Sequence, residues 1–225
     1  MNFPQDTPCR DRRVKVGRSR RTSRTNARKL AVEELERYLL MATFLVDSPG
    51  DSGDFDLGDG VADTDRITPE SQITLRAAIQ NANLDPTRDT IGFAAPMTIR
   101  PLAALPAITA PVNLSGASTP GYAGTPLVTI DGGSAGATDG PTLAVGSSGS
   151  TVSGLFITRF AQSGLVVQGA GDVVQGNTIS GNRGSGVVIA GANARDNLVL
   201  GNRTRPVPPA WPIGMTGSRF GRMTT

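Results

Sequence analysis

No histidine occurs anywhere in the 225 residues, and the single cysteine, Cys9, sits in an arginine-rich stretch near the start. The first absence removes Ser/His/Asp and Cys/His triads, His-ligated zinc and the commonest general base together. A lone thiol can neither close an internal disulfide nor build a thiolate zinc site. Any catalysis would fall to carboxylates, Arg, Lys or Tyr. Aromatic residues make up only 4% of the chain, so its core must be aliphatic. The longest nearly apolar run, nine residues from Tyr38 to Val46, is far too short to cross a bilayer as a helix. What remains is 38% hydrophobic and rich in turn formers, with 28 Gly and 16 Pro but no three-residue collagen period. Such a composition fits one turn-rich all-β domain.

The net charge of +3 conceals an asymmetry. Residues 1 to 29 carry ten Lys or Arg against Asp6 and Asp11, a net of +8, and residues 203 to 225 carry four Arg and no acid. The middle of the chain, residues 30 to 202, has eight bases against seventeen acids, a net of −9. Basic arms suit anionic partners, but a folded domain that binds a polyanion needs a positive face of its own. On net charge alone the middle segment is expected to lack one.

Four segments follow from the pattern. Residues 1–30 lack apolar periodicity and read as a disordered basic arm or leader. Residues 31–96 hold a helix from Ala31 to Met41, a first strand from Thr43 to Val46, an acidic loop and an amino-terminal cap. Within that cap, Thr74 is a fitting N-cap for a helix whose Leu75, Ala78, Ile79 and Ala82 share one face, and Pro86 stops it. This amphipathic helix is expected to cover one end of the domain, and Asp89–Phe93 reads as the strand entering it. Residues 97–202 form the repeat region, and 203–225 an irregular basic tail.

Seven aspartates lie between Asp47 and Asp65, interleaved with glycine. Oxygen ligands at alternate positions suit calcium, which makes Asp54, Asp56 and Asp59 weak metal candidates; Asp59 is out of register for an EF-hand loop and no Glu closes it. A solvated acidic loop is the better reading. No other cofactor is expected.

Beyond Met97 short aliphatic runs alternate with Gly, Ser, Asn and Asp. Leu143, Leu165 and Val187 are twenty-two residues apart, as are Val145, Val167 and Ile189, Gly154 and Gly176, Ile157 and Ile179, and Gly164 and Gly186. A final shorter step carries Asn177, Ile179, Gly181 and Asn182 to Asn197, Val199, Gly201 and Asn202. Val, Ile, Gly and Ser dominate and no helical half is visible, so leucine-rich repeats are excluded. The pattern predicts a right-handed parallel β-helix, a short solenoid of about 22 residues per coil. Asn177 over Asn197 and Asn182 over Asn202 are expected to form a structural amide ladder at the corners.

Asp59–Asp63, Ile73–Asn83, Asp89–Phe93, Ile99–Pro106, Thr119–Pro126 and Ile130–Gly132 together resemble the CSLREA-type domain that heads bacterial right-handed β-helix proteins. The stretch Leu35–Asp47 is similar to the leader of such secreted and surface-associated proteins. The resemblance implies an extracellular or cell-surface location. The family commonly has cysteines at the positions of Ala62 and Ile73, and both are missing here. Its members usually run on for many more coils, so the abrupt change after Asn202 reads as truncation.

The function expected is a non-catalytic secreted or surface module, with extracellular polysaccharide or surface components as partners. The alternative is a carbohydrate-active β-helix enzyme, a polysaccharide lyase or hydrolase, which would need paired carboxylates or calcium with a base. On a uniform twenty-two-residue period Asp131, Asp139, Arg159, Asp172, Arg183, Arg195 and Asp196 do not gather, so no catalytic residue is expected. Nucleic-acid binding through the arm is the weakest reading, since no aromatics interleave its arginines.

Overall fold

The computed structural model describes residues 41–65 and 72–205. The basic arm with Cys9, the helix expected from Ala31 as far as residue 40, and the tail beyond 205 lie outside the described residues.

Chain order is β1 (Thr43–Val46), α1 (Leu75–Ala82), β2 (Asp89–Phe93), β3 (Met97–Ile99), β4 (Val112–Ser115), β5 (Val128–Asp131), β6 (Thr142–Leu143) and β7 (Thr151–Ser153). Then come β8 (Leu155–Thr158), β9 (Leu165–Val167), β10 (Val173–Gln175), β11 (Thr178–Ser180), β12 (Val187–Ile189), β13 (Leu198–Leu200) and β14 (Arg203–Arg205). Three sheets result, ordered β1-β2-β4-β7-β10-β13, β3-β5-β8-β11-β14 and β6-β9-β12. All their strand pairs are parallel, so this is a mostly-strand fold of parallel sheets with one α-helix among the described residues. From β4 onward the chain visits the first, second and third sheets in turn and then begins again; one such circuit is a rung.

Three aliphatic ladders explain the register. In the first sheet Phe44, Ile91, Leu114, Val152, Val174 and Val199 stack in succession. In the second, Ile99, Ile130, Ile157 and Ile179 do so, ending on Thr204. In the third, a bridge sets Ile108 on Leu143, and Val167 and Ile189 follow. Alternation turns these residues inward and their neighbours outward, while neighbouring rungs lie about 4.8 Å apart. Residues of all three ladders and of α1 belong to one buried cluster. The ladders lose their cover at the last rung, where Val199 is 43% exposed and Ile189 47%.

The helix, β1 and β2 fall where the sequence places them. Thr74 Oγ1 accepts from Ala77 N at 3.1 Å, and Leu75, Ala78, Ile79 and Ala82 are all buried. Both flanking strands belong to the first sheet, so α1 stands in the connection that later rungs fill with second- and third-sheet strands. On its outer side Arg76 forms a paired contact with Asp51, at 3.0 and 2.9 Å, and reaches the carbonyl of Ala104. The parallel pairing therefore extends beyond residues 97–202 on both sides. β1 and β2 begin it, and β14, in the segment expected to be irregular, pairs with β11.

The repeat length is not uniform. Thr151 to Val173, Phe156 to Thr178 and Leu165 to Val187 are steps of twenty-two, but Leu143 pairs with Val167, a step of twenty-four, rather than with Leu165. Val145 is accordingly half exposed in a turn instead of stacked on Val167. The final step, Thr178 to Arg203, is twenty-five, longer and not shorter than its predecessor.

That step also corrects the amide ladder. Asn177 stacks with Asn202, whose Oδ1 accepts from Asn177 N at 3.0 Å, and Asn197 stacks with Asp172, accepting from its N–H at 2.7 Å. The pairs Asn177/Asn197 and Asn182/Asn202 do not form; Asn182 instead accepts from Phe160 N at 2.9 Å. Corner residues recur every five positions, at 172, 177 and 182 and again at 197 and 202, so a slip of one corner leaves the pattern looking intact. The structural role itself stands. Each of the four asparagines accepts an N–H from the preceding rung and donates Nδ2 to a carbonyl, as Asn177 does to Val152 O at 2.9 Å.

Candidate functional site

The corner between the first and second sheets is turned by Gly154, Gly176 and Gly201 on successive rungs, with φ of 67°, 63° and 63°. A side chain at 154 would also meet Ala117, whose backbone N lies 2.5 Å from the β-carbon position. Glycine is required there by both conformation and space. The result is a strip of bare backbone running across the rungs.

The β4–β5 connection supplies a wall to that strip. It is built from Pro120, Gly121, Gly124 and Pro126, with both glycines at positive φ, and it carries Tyr122. Tyr122 N donates to Thr119 O at 3.0 Å, and its hydroxyl lies 3.8 Å from where a Gly176 β-carbon would stand. On the other side Ser153, Gln175 and Leu200 are in register. Together they bound an open groove of about 330 Å³. An aromatic ring, an exposed amide, a hydroxyl and flat peptide groups can pack on and hydrogen-bond a polyhydroxylated ligand. The lining contains no carboxylate and no Arg or Lys, so the paired carboxylates used in most glycoside cleavage are not found in it.

The charged residues of the rungs lie elsewhere. Contrary to the expectation from a uniform period, Asp131 and Arg159 do meet. Arg159 Nε donates to Asp131 Oδ1 at 2.6 Å and its Nη2 to Oδ2, while Arg100 Nε stands 3.7 Å away. The reason is the long step from β5 to β8, which puts Thr158 and not a residue twenty-two positions on beside Asp131. The hydrogen bond from Arg159, reinforced by both guanidinium charges, holds the Asp131 carboxyl below its ordinary range against the opposing effect of burial.

The remaining candidates are dispersed. Asp139 accepts from Ser163 N at 2.7 Å, and Arg195 and Asp196 face each other at 3.9 Å, both well exposed. Arg183 is exposed after β11. Asp172 is fully buried; its Oδ1 accepts from Ser150 N at 2.8 Å and its Oδ2 has no partner. Burial pushes its carboxyl up, opposed by the N–H groups of Ser150 and Gly149.

In the acidic loop the candidate aspartates make local backbone hydrogen bonds. Asp54, Asp56 and Asp59 each turn an oxygen back onto the N–H two residues ahead, at 3.1, 3.1 and 2.9 Å. Asp54 is also bound by Asn81 of α1. Among the described residues no three acidic or thiol side chains gather as a metal would need.

The repeat pattern pairs Gly154 with Gly176 but sets Gly201 against Gly181, and Tyr122 falls outside it. The tyrosine's rarity, one of two in the chain, was the available signal. Compared with known proteins, the sequence matches no family model and no curated protein. Among the described residues no helix is long and apolar enough to cross a membrane.

Proposed function

We propose that the chain is a non-catalytic, right-handed parallel β-helix module that acts outside the cell or on its surface and contacts carbohydrate along the groove beside Tyr122. The cyclic passage through three parallel sheets supports the solenoid, and the crossover rule for parallel strands supports its hand. The resemblance of residues 59–132 to the CSLREA-type domain supports the location. The observation that carries the binding reading is Tyr122 standing over stacked left-handed glycines, with Gln175 and Ser153 in reach. Aromatic faces contribute large contact area at low entropic cost, and neighbouring amides orient the ligand.

Glycan-array binding of the full chain tests this. Retention of one or more polysaccharides, lost on Tyr122→Ala without change in thermal stability, is expected; no retention, or retention indifferent to Tyr122→Ala, would overturn it. Release of reducing ends or unsaturated sugars from a bound polysaccharide would replace the non-catalytic reading with the enzymatic one.

A further inference from the structure

The acidity of the middle segment is not spread evenly. From Met97 to Thr204 there are five Arg and four Asp, and no Lys or Glu, while the seven aspartates of residues 47–65 precede the rungs. Of the four, Asp131 and Asp172 are buried. The arginines, by contrast, are exposed, and three of the five, Arg100, Arg159 and Arg203, lie on a strand of the second sheet or directly beyond the end of one.

Register places them on one face. Inward positions of the second sheet are taken by the isoleucine ladder, so Thr98, Thr129, Phe156, Thr178 and Arg203 form one outward row. Arg100, Asp131, Thr158 and Ser180 form the next. The one carboxylate in these rows is matched by Arg159 and still has Arg100 beside it, which leaves a net positive face set with hydroxyls. The other nearby carboxylate, Asp139, accepts from Ser163 N in the β5–β6 connection. Arg159 has a φ of 62°, a conformation its rung neighbour Gly181 adopts at 74° without a side chain to strain. Arginine at this position presents its guanidinium to Asp131 while its side chain stays largely exposed.

We infer that the outer face of the second sheet binds a linear acidic polysaccharide laid across the strands, with Arg100, Arg159 and Arg203 as its carboxylate or sulfate contacts. This rests on the carbohydrate reading and adds the ligand's charge. From β3 to β14 the face crosses four strand spacings, roughly 19 Å, enough for several sugar units. It adjoins the glycine groove, since Gly201 and Arg203 are two residues apart and Gly176 and Thr178 likewise. Sparse arginines separated by Thr and Ser suit an alternation of charge and hydroxyl along a sugar chain. A nucleic acid, with a phosphate at each nucleotide, calls for a denser row of cations or stacked aromatics.

The test compares the full chain with Arg100→Gln/Arg203→Gln on polygalacturonate, on its fully methyl-esterified form and on duplex DNA, by affinity electrophoresis at low and high salt. Residues 1–29 are common to both proteins, so any difference reports the face. The expected result is preferential, salt-sensitive retention on polygalacturonate, weakened about tenfold by the double substitution, a loss of about 1.4 kcal/mol, with retention on the ester unchanged. Equal retention of acid and ester, or no effect of the substitutions, would overturn the inference and leave the groove reading standing. Retention on neither would overturn the inference, while the glycan array with Tyr122→Ala decides the groove reading separately. DNA held as tightly as polygalacturonate would also overturn it, by showing a surface selective only for negative charge.

Discussion

Asp172 occupies a corner where asparagine is the better chemical fit. Its Oδ2 has no partner, and both it and the carbonyl oxygen of Ala144 border the space beside Gly169. At the equivalent corner of the next rung, Asn197 fills that place with an Nδ2 that donates to Gly169 O at 3.0 Å. Because burial raises the folded-state pKa of Asp172 above its unfolded value, the fold binds this proton more tightly, and the group's contribution to stability declines as pH rises between the two. Asp172→Asn should therefore raise the melting temperature at pH 7 by about 2–4 °C, the effect of one recovered hydrogen bond of about 1 kcal/mol. Thermal melts across pH should show the advantage shrinking as Asp172 becomes protonated in acid. A variant less stable than the parent at neutral pH would contradict this account. Asp131 carries the opposite sign: its lowered pKa gives stability that is present above the unfolded value and lost as pH falls through the folded one.

At the scale of the strand, position within the stack sets the cost of losing a side chain. Ile157 is sealed between Ile130 and Ile179, whereas Val199 has a rung on one side only and is 43% exposed. Urea unfolding should show Ile157→Ala losing about 2–5 kcal/mol and Val199→Ala less than about 1 kcal/mol. Equal losses would mean that the last rung is covered in solution. The same elements show what could be read in advance. β1, α1 and β2 were legible because each has a local signature: alternation in Thr43–Val46, a cap and apolar face after Thr74, and a bounded strand at Asp89–Phe93. Register was not. Moving from Leu165 to Val167 as the partner of Leu143 keeps the inward face, because strand periodicity is two, and moving from Asn197 to Asn202 keeps the corner chemistry. Alternation identifies a face but cannot count the residues looped out between faces. The Asp131–Arg159 contact was hidden for this reason, and the groove was hidden because Tyr122 reaches it from a connection with no periodicity at all.

Across the whole molecule stability should be graded along the stack. Strands β7 and β8 have partners on both edges, while among the described residues β12, β13 and β14 each have one. Native-state hydrogen exchange should find the amides of β12–β14 opening on the order of tenfold more often than those of β7 and β8. Uniform protection would contradict this gradient. The helix at the opposite end gives the gradient its direction. α1 packs against the first two strands, which a ribosome makes before the later rungs, and each later rung needs only the one before it as a template. The widest separation joined by strand pairing is Thr43 to Thr90, and from β8 onward each strand closes a loop of only twenty-two to twenty-seven residues. Such closures are entropically cheap and local. A stack that starts on a packed helix can add order as it emerges, much as a crystal grows from one face, without waiting for residues not yet made.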